Sequence, residues 1–386
     1  MEICVHDEYC GGCVYQGIPY EEQIRIKDQE VKRLLKAKDI QFEQYLGAAR
    51  SPKSYRYRNK MEYTFGDMVK NGEMTLGMHQ KKRFMSIVTV NSCQLVDEDF
   101  NLILDAALHF CKEKGYLFYN KKTHSGFLRH LIIRKGEGTG ELLVNLVTSS
   151  QGNLDKDEFI KRLLDLKLNN GIVGILNTID DGLADSICCE HLNVLWGRDY
   201  YMERILDLDF KVSAFSFFQT NIAAVERLYQ EAIGMIDDLE GKTVFDLYCG
   251  TGTISQVMAK KAKSVIGVEI VQEAASAARE NAALNGLKNC DFIAGDVFEA
   301  LRNITEKPDV IVLDPPRVGI HPKALDQIIR YDTSQIVYIS CNPKTLVENL
   351  YYLQYNKYKT ERIKTFDNFP FTKHIECVAL LKRENA

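Results

Sequence analysis

Two rhythms of apolar and polar residues divide the chain. Between Pro19 and Lys38 a charged stretch puts Ile24, Val31, Leu34 and Leu35 on one face at helical spacing, which predicts an amphipathic helix. From about residue 50 to 200 the pattern changes to strands, hairpins and helices. Met61–Phe65 and Met74–Met78 flank Asn71-Gly72, a hairpin turn signal, and Leu131–Ile133 and Leu142–Val147 also read as strands. From about residue 205 short apolar runs recur without alternation, separated by helical segments. They are Thr243–Leu247, Ser264–Val268, Asp291–Ala294, Asp309–Leu313, Gln335–Ile339, Tyr358–Thr365 and Ile375–Leu381. The early runs predict βαβ units in a mostly parallel sheet; the last two follow each other closely enough to pair as a hairpin. The expected division is a cysteine segment at 1–18, a helix packing on the C-terminal domain at 19–45, a central α+β domain at 46–204 and an α/β domain at 205–386.

Composition narrows the class only slightly. The 386 residues suffice for two or three cored domains, and 45% hydrophobic with 26% charged residues is ordinary for a globular chain. Apolar stretches such as Val310–Leu313 are too short to span a bilayer, and the first residues have neither the basic nor the apolar region of a signal peptide. The expectation is a cytoplasmic monomer with no membrane partner, its eleven cysteines held as thiols. A net charge of −4 argues against a general nucleic-acid coat protein, but leaves room for a local basic surface.

Chemistry gathers at the carboxyl ends of the C-terminal runs, where an open α/β sheet places its ligand. The first run ends in Asp246-Leu247-Tyr248-Cys249-Gly250-Thr251-Gly252-Thr253, the second in Glu269 and the third in Asp296. The fourth ends in Asp314-Pro315-Pro316-Arg317, and the fifth in Ser340-Cys341-Asn342-Pro343. The glycines permit a tight turn against a cofactor, and an acid placed as Glu269 is can accept hydrogen bonds from ribose hydroxyls. A dinucleotide fold is the competing reading, but Ser255 breaks the Gly-x-Gly-x-x-Gly pattern. The combination favours S-adenosylmethionine. Enzymes that methylate exocyclic amines follow Asp-Pro-Pro with an aromatic; here Arg317 follows, and no cysteine lies in the motif.

A cysteine with a carboxylate suits carbon 5 of uracil. That carbon is a poor nucleophile until a thiolate adds to carbon 6 and turns the ring into an enolate. A base must then remove the carbon-5 proton so that the thiol can leave. Cys341 lies just past the fifth run, where N–H groups of the following turn are expected to favour its thiolate. Glu376 begins the last run, and if that strand is antiparallel its start reaches the edge where Cys341 lies.

These residues resemble the RNA uracil-5-methyltransferase family, the RumA/TrmA type. The resemblance is carried by Phe218-Gln219-Thr220-Asn221, by Asp246–Thr253, by Val268-Glu269 and Leu313–Arg317, and by Ser340–Pro343 and Asp367–Glu376. It implies a Rossmann-like class I methyltransferase domain that binds S-adenosylmethionine through Gln219, Tyr248, Thr253, Glu269, Asp296 and Asp314. It also implies Cys341 as nucleophile and Glu376 as proton acceptor. Phe371 stands where the family often has His, a departure expected to alter contacts at the pocket edge. The TRAM domain that precedes this unit in some relatives is expected to be absent, since Cys4 is almost the first residue.

Cys4-x5-Cys10-x2-Cys13 supplies three thiols and needs a fourth ligand, a set that suits zinc or iron–sulfur. No second close pair exists of the kind zinc sites show, and Cys188-Cys189 are adjacent, an awkward spacing. The ribosomal-RNA members of the family carry this pattern and hold a 4Fe–4S cluster with a distant fourth cysteine. The resemblance therefore implies a cluster on Cys4, Cys10, Cys13 and Cys93, and 23S ribosomal RNA as the substrate. Cys111, Cys249, Cys290 and Cys377 read as packing residues.

For RNA contacts, Tyr55-Arg56-Tyr57-Arg58-Asn59-Lys60 interleaves cations with stacking rings, equally the pattern of an ordinary strand with a solvated face. Phe127–His130 is a second candidate. The alternative functions are a tRNA uridine methyltransferase, an RNA cytosine-5 methyltransferase that shares the cysteine nucleophile, and a catalytically silent iron–sulfur RNA-binding protein.

Overall fold

The computed structural model describes residues 3–184, 187 and 189–384, so Cys188 lies outside the described residues. Helix α1 (Tyr20–Ala37) and strand β1 (Gln44–Ala49) come first. The middle of the chain gives β2 (Lys60–Asp67), β3 (Met74–Gln80), β4 (Arg83–Thr89), α2 (Glu98–Glu113), β5 (Leu128–Lys135), β6 (Glu141–Thr148), α3 (Lys156–Leu164), β7 (Gly171–Ile179) and β8 (His191–Gly197). A short hairpin, β9 (Tyr200–Ile205) and β10 (Leu208–Ser213), follows. Then strand and helix alternate: α4 (Ile222–Gly234), β11 (Thr243–Leu247), α5 (Thr253–Ala259), β12 (Ser264–Glu269), α6 (Gln272–Leu284), β13 (Cys290–Ala294) and α7 (Val297–Asn303). The chain closes with β14 (Val310–Leu313), α8 (Pro322–Arg330), β15 (Gln335–Ser340), α9 (Pro343–Tyr355), β16 (Tyr358–Phe366) and β17 (Glu376–Arg383).

These elements form two compact units. One comprises residues 1–17, 54–204 and 211–215; the other comprises 18–53, 205–210 and 216–386. The first carries a sheet in the order β4-β3-β2-β5-β6-β7-β8. Its neighbours are antiparallel except β6 and β7, which are parallel and joined through α3, as a parallel pair requires a crossover. The Asn71-Gly72 signal does lie in the β2–β3 connection, with Asn71 at φ +60. Phe100, Ile103, Leu104, Ala107 and Leu108 of α2 pack into the core with Leu131, Ile133 and Val144 from the sheet.

The second unit has an eight-stranded sheet, β1-β16-β17-β15-β14-β11-β12-β13. The runs β11 to β15 are parallel, and β17 alone runs against its neighbours. Val31 and Leu35 of α1 belong to this unit's core with Phe245, Ile311, Ile336 and Leu350. Residues 46–53, expected in the central domain, belong instead to this unit, because β1 pairs in parallel with β16. No helix among the described residues is long and apolar enough to cross a membrane.

Helix α1 does more than contribute apolar packing. Lys27 is fully buried and its Nζ lies 2.6 Å from Asp367 Oδ1, also fully buried, and 3.0 Å from the Phe369 carbonyl. Burial pushes the Lys27 ammonium below its ordinary pKa and the Asp367 carboxylate pulls it back. Gln23 of the same helix accepts a hydrogen bond from the Phe371 N–H at 2.9 Å. Phe371 itself is fully buried at φ +64, so it does not form a pocket edge as the sequence suggested. The segment that leads into β17 is thus tied to α1 by a buried charge.

Removing one partner of such a pair strands the other. Lys27→Met is expected to lower the unfolding free energy by about 3–5 kcal/mol, measured by urea titration. Pairing it with Asp367→Leu is expected to recover most of that loss.

Candidate active site

Five parallel strands end on one edge, and each end is shaped by a local signal. β15 stops at Ser340, and Asn342 then caps α9 by accepting the Lys344 N–H at 3.2 Å, with Pro343 in the first helical turn. Cys341 is left between strand and cap. Asp314 follows β14, and the next residues are clasped to the same turn: Asn342 Nδ2 donates to the Arg317 carbonyl at 2.8 Å. Gly319 has φ +79, and a Cβ there would meet the Thr345 side chain at 3.0 Å, which favours glycine.

β17 brings its first residue, Glu376, to the same edge. It lies between β15 and β16, and the last paired step with β15 joins Ser340 to Cys377. One residue beyond that step stand Cys341 on one strand and Glu376 on the other. Glu376 is buried, which pushes its carboxyl up to about 7, while the charge of Arg317 opposes the shift. Cys341 is half-buried, and its thiol is raised by burial, then by the charges of Glu376 and Asp314. Arg317 lowers it again by charge and by a hydrogen bond. The turn N–H groups expected to favour the thiolate are spent elsewhere: the Asn342 N–H goes to Ser340 Oγ at 3.2 Å. Arg317, read in the sequence only as an argument against amine chemistry, is the cation acting on both Cys341 and Glu376. Its position two residues beyond Pro315 gave the one signal.

The expected cofactor residues gather on this same edge. Both oxygens of Glu269 accept backbone N–H groups, from Gly250 at 3.0 Å and Val271 at 2.9 Å. Asp296 caps α7 and acts electrostatically on Tyr248, whose φ is +70. Thr253 Oγ1 lies 2.9 Å from Tyr229 Oη, and Tyr229 is also bonded to Gln219. Tyr229 was not singled out in the sequence, because a buried tyrosine on α4 looks like any core residue. Asp246 is buried and its carboxyl is pushed up to about 7; one oxygen accepts from Ser255 and Oδ1 has no partner. Asp314 is half-buried, and its carboxyl is raised by desolvation and by the charges of Glu376 and Asp246.

The fit for S-adenosylmethionine rests on three features of this edge. Asp246 Oδ1 is buried without a donor. Gly250 has φ +55, and a Cβ there would face open space. Glu269, half-exposed, presents a carboxylate oriented by two backbone N–H groups.

In the other unit the chain brings Cys93 toward the N-terminal cysteines. Ser92 N–H donates to His6 Nε2 at 3.1 Å, Lys81 Nζ lies 2.7 Å from Asp7 Oδ1, and Cys10 bridges to Gln80. Cys4, Cys10, Cys13 and Cys93 are all half-buried free thiols. Cys13 is pushed up to about 12 by burial, with smaller contributions from Cys93, Cys10 and Cys4; Cys93 reaches about 11 by burial, opposed by the N–H of Leu95. Among the described residues, no three His, Cys, Asp or Glu side chains stand in metal-holding geometry. The four thiols influence one another without forming a closed ligand shell.

The RNA-contact candidates fare unequally. Phe127, Arg129 and His130 are buried, and the Arg129 guanidinium is spent on the carbonyls of Asp180, Gly182 and Ala184, so Phe127–His130 offers no surface. Tyr57 and Asn59 are core residues as well. Arg56 is exposed, and Tyr55, Arg58 and Lys60 are half-exposed.

A family model for tRNA (uracil-5-)-methyltransferase matches residues 19–384. An uncharacterized RNA methyltransferase of Clostridium tetani is 50% identical over 376 residues, 97% of this chain and 82% of the relative. One from Caldanaerobacter subterraneus is 47% identical over 380 residues, 98% of this chain and 84% of the relative. Among solved structures, the Pyrococcus abyssi tRNA (uracil-54, C5)-methyltransferase in complex with S-adenosyl-L-homocysteine matches with a TM-score of 0.79 and 26% identity, over 96% of this chain and 86% of that one.

The raised Glu376 carboxyl has a measurable consequence. The folded chain holds that proton more tightly than the unfolded chain, so this group's contribution is present at low pH and lost as pH rises through about 7. Glu376→Gln is therefore expected to be more stable than the native chain at pH 8, by on the order of 2 kcal/mol, with little gain at pH 4.5. Urea titrations at the two pH values test this; a loss of stability at pH 8 would contradict a buried, destabilising carboxylate.

Proposed function

Since this chain belongs to the tRNA (uracil-5-)-methyltransferase family, we propose that it methylates carbon 5 of a uridine in RNA, with Cys341 as nucleophile and Glu376 as base. The reading rests on one observation: a half-buried thiol and a buried carboxylate lie one step beyond the Ser340–Cys377 pair, and Arg317 acts on both.

The Cys341 thiolate adds to carbon 6 of uracil, and the ring's electrons move toward the carbon-4 oxygen. Bound S-adenosylmethionine supplies an electrophilic methyl on its sulfonium sulfur, which carbon 5 accepts. Glu376 takes the carbon-5 proton; the 5,6 double bond re-forms and Cys341 leaves as thiolate. Arg317 stabilises the thiolate at both ends of this sequence. Gln219, Tyr248, Thr253, Glu269, Asp296 and Asp314 would hold the methyl donor, and the Glu269 carboxylate would accept its ribose hydroxyls. The target uridine must leave its stack to enter.

The ribosomal assignment, 23S RNA, is supported by the resemblance of the Cys4, Cys10, Cys13 and Cys93 set to that of the ribosomal-RNA members. Four half-buried thiols, two of them with peptide N–H groups on the sulfur (Gly12 on Cys10 at 3.4 Å, Leu95 on Cys93), offer the donor chemistry of a 4Fe–4S cluster. A tRNA substrate is the second reading, favoured by the likeness to the Pyrococcus abyssi enzyme.

Methyl transfer from labelled S-adenosylmethionine to RNA is expected with the native chain and not with Cys341→Ala. RNA carrying 5-fluorouridine is expected to trap a covalent complex through Cys341; its absence would overturn the mechanism. Both Cys341 and Glu376 must be ionised and both are raised, so kcat/KM is expected to climb as pH rises from 6 to 8. Mass spectrometry of 5-methyluridine in 23S RNA and tRNA, with and without the gene, separates the two substrates.

A further inference from the structure

The unit that carries the cysteines also contains a cleft of about 510 Å³, lined by Tyr55, Arg56, Ser92, Cys93, Gln94, Val96, Glu98 and Asn101. That volume falls in the range of small-ligand sites, roughly 300–1,000 Å³. Cys4, Cys10 and Cys13 do not line it, so it is not the space between the four thiols.

Its walls are fixed in place. The Arg56 N–H donates to the Gln94 carbonyl at 2.9 Å and the Arg58 N–H to the Leu95 carbonyl at 2.9 Å, holding two segments side by side. Arg56 takes φ +50, an uncommon conformation for a side-chain-bearing residue. Asn101 is buried and clasps Cys93, accepting its N–H at 3.0 Å. Against this rigid frame one polar atom stands out: Gln94 Oε1 is buried and has no hydrogen-bond partner. A buried acceptor in that state calls for an N–H or O–H donor from outside the chain.

We propose that this cleft receives one unpaired nucleotide of the RNA substrate, its base stacked on Tyr55 and donating an amino or imino N–H to Gln94 Oε1, its phosphate beside Arg56. The proposal rests on RNA being the substrate, but not on the Cys341 chemistry. Half-exposed Tyr55 and buried Val96 offer apolar area suited to a flat ring. An inorganic anion would leave Gln94 Oε1 unsatisfied, whereas every nucleobase that pairs in RNA carries a suitable donor edge. The Arg56 guanidinium is exposed and held 3.0 Å from Glu98 Oε2, also exposed. Such a surface pair is weak. A phosphate displaces Glu98 from it, and Glu98 therefore opposes binding.

The test measures affinity of the full-length chain for a fluorescently labelled single-stranded RNA by anisotropy, in the presence of S-adenosylhomocysteine. Tyr55→Ala is expected to weaken RNA binding on the order of 10-fold, while Tyr55→Phe, which keeps the ring, stays within about 2-fold. Gln94→Leu is expected to lose roughly 5-fold. Glu98→Gln is expected to bind RNA more tightly, with a steeper salt dependence than Arg56→Gln. S-adenosylhomocysteine affinity and the thermal midpoint are expected to be unchanged in every variant. Native affinity in Tyr55→Ala, or an equal loss in Tyr55→Phe, overturns the proposal. Formation of 5-methyluridine, assayed in parallel, separates the two readings. Active enzyme indifferent to Tyr55 sinks the cleft alone, and Tyr55-dependent binding without 5-methyluridine sinks the methylation chemistry alone.

Discussion

The candidate site depends on one topological fact: the last strand runs against its neighbours and inserts between β15 and β16. Parallel strands present only their carboxyl ends to the reactive edge. An antiparallel strand brings its first residue there, and this is how Glu376 comes to stand near Cys341. The register matters as much as the direction, since a one-residue slip would turn Glu376 to the other face of the sheet. Six consecutive pairs between β15 and β17, and eight between β16 and β17, hold it.

That insertion concentrates acids in a dry place. Burial raises the carboxyls of Asp246, Asp314 and Glu376, Asp314 is raised further by the charges of the other two, and Arg317 opposes the shift at Glu376. A carboxyl near 7 is poised to lose and take a proton at neutral pH, which an ordinary surface glutamate is not. The same burial opposes stability. Helix α1 fixes the segment before β17 in place, since its Lys27 forms a buried ion pair with Asp367. A helix that the sequence marks as simple packing therefore helps to fix the approach to the site.

Much of the α/β unit was legible in advance. The apolar runs at Thr243–Leu247 and Ser264–Val268 match strands to within a residue, and the reactive residues fall at their ends as the pattern required. Around Tyr55–Lys60 the reading was weaker, because alternating rings and cations look alike whether they face solvent or core. Tyr57 and Asn59 turned inward, and Arg129 spends its charge on backbone carbonyls. Tyr229 was passed over, and the role of Arg317 at the thiol was not foreseen, because nothing near them along the chain announces what they touch.

The sequence by itself determined the order and kind of the elements, the helix caps and turns, and which chemical groups end each strand. Those follow from periodicity and from contacts between residues a few positions apart. Only the tertiary structure decided where β1 and β17 insert, which acids are desolvated, how Cys93 meets the N-terminal cysteines, and which cation faces the thiol. Those depend on pairings far apart along the chain and on burial, which belongs to the packed molecule and to no single stretch of it.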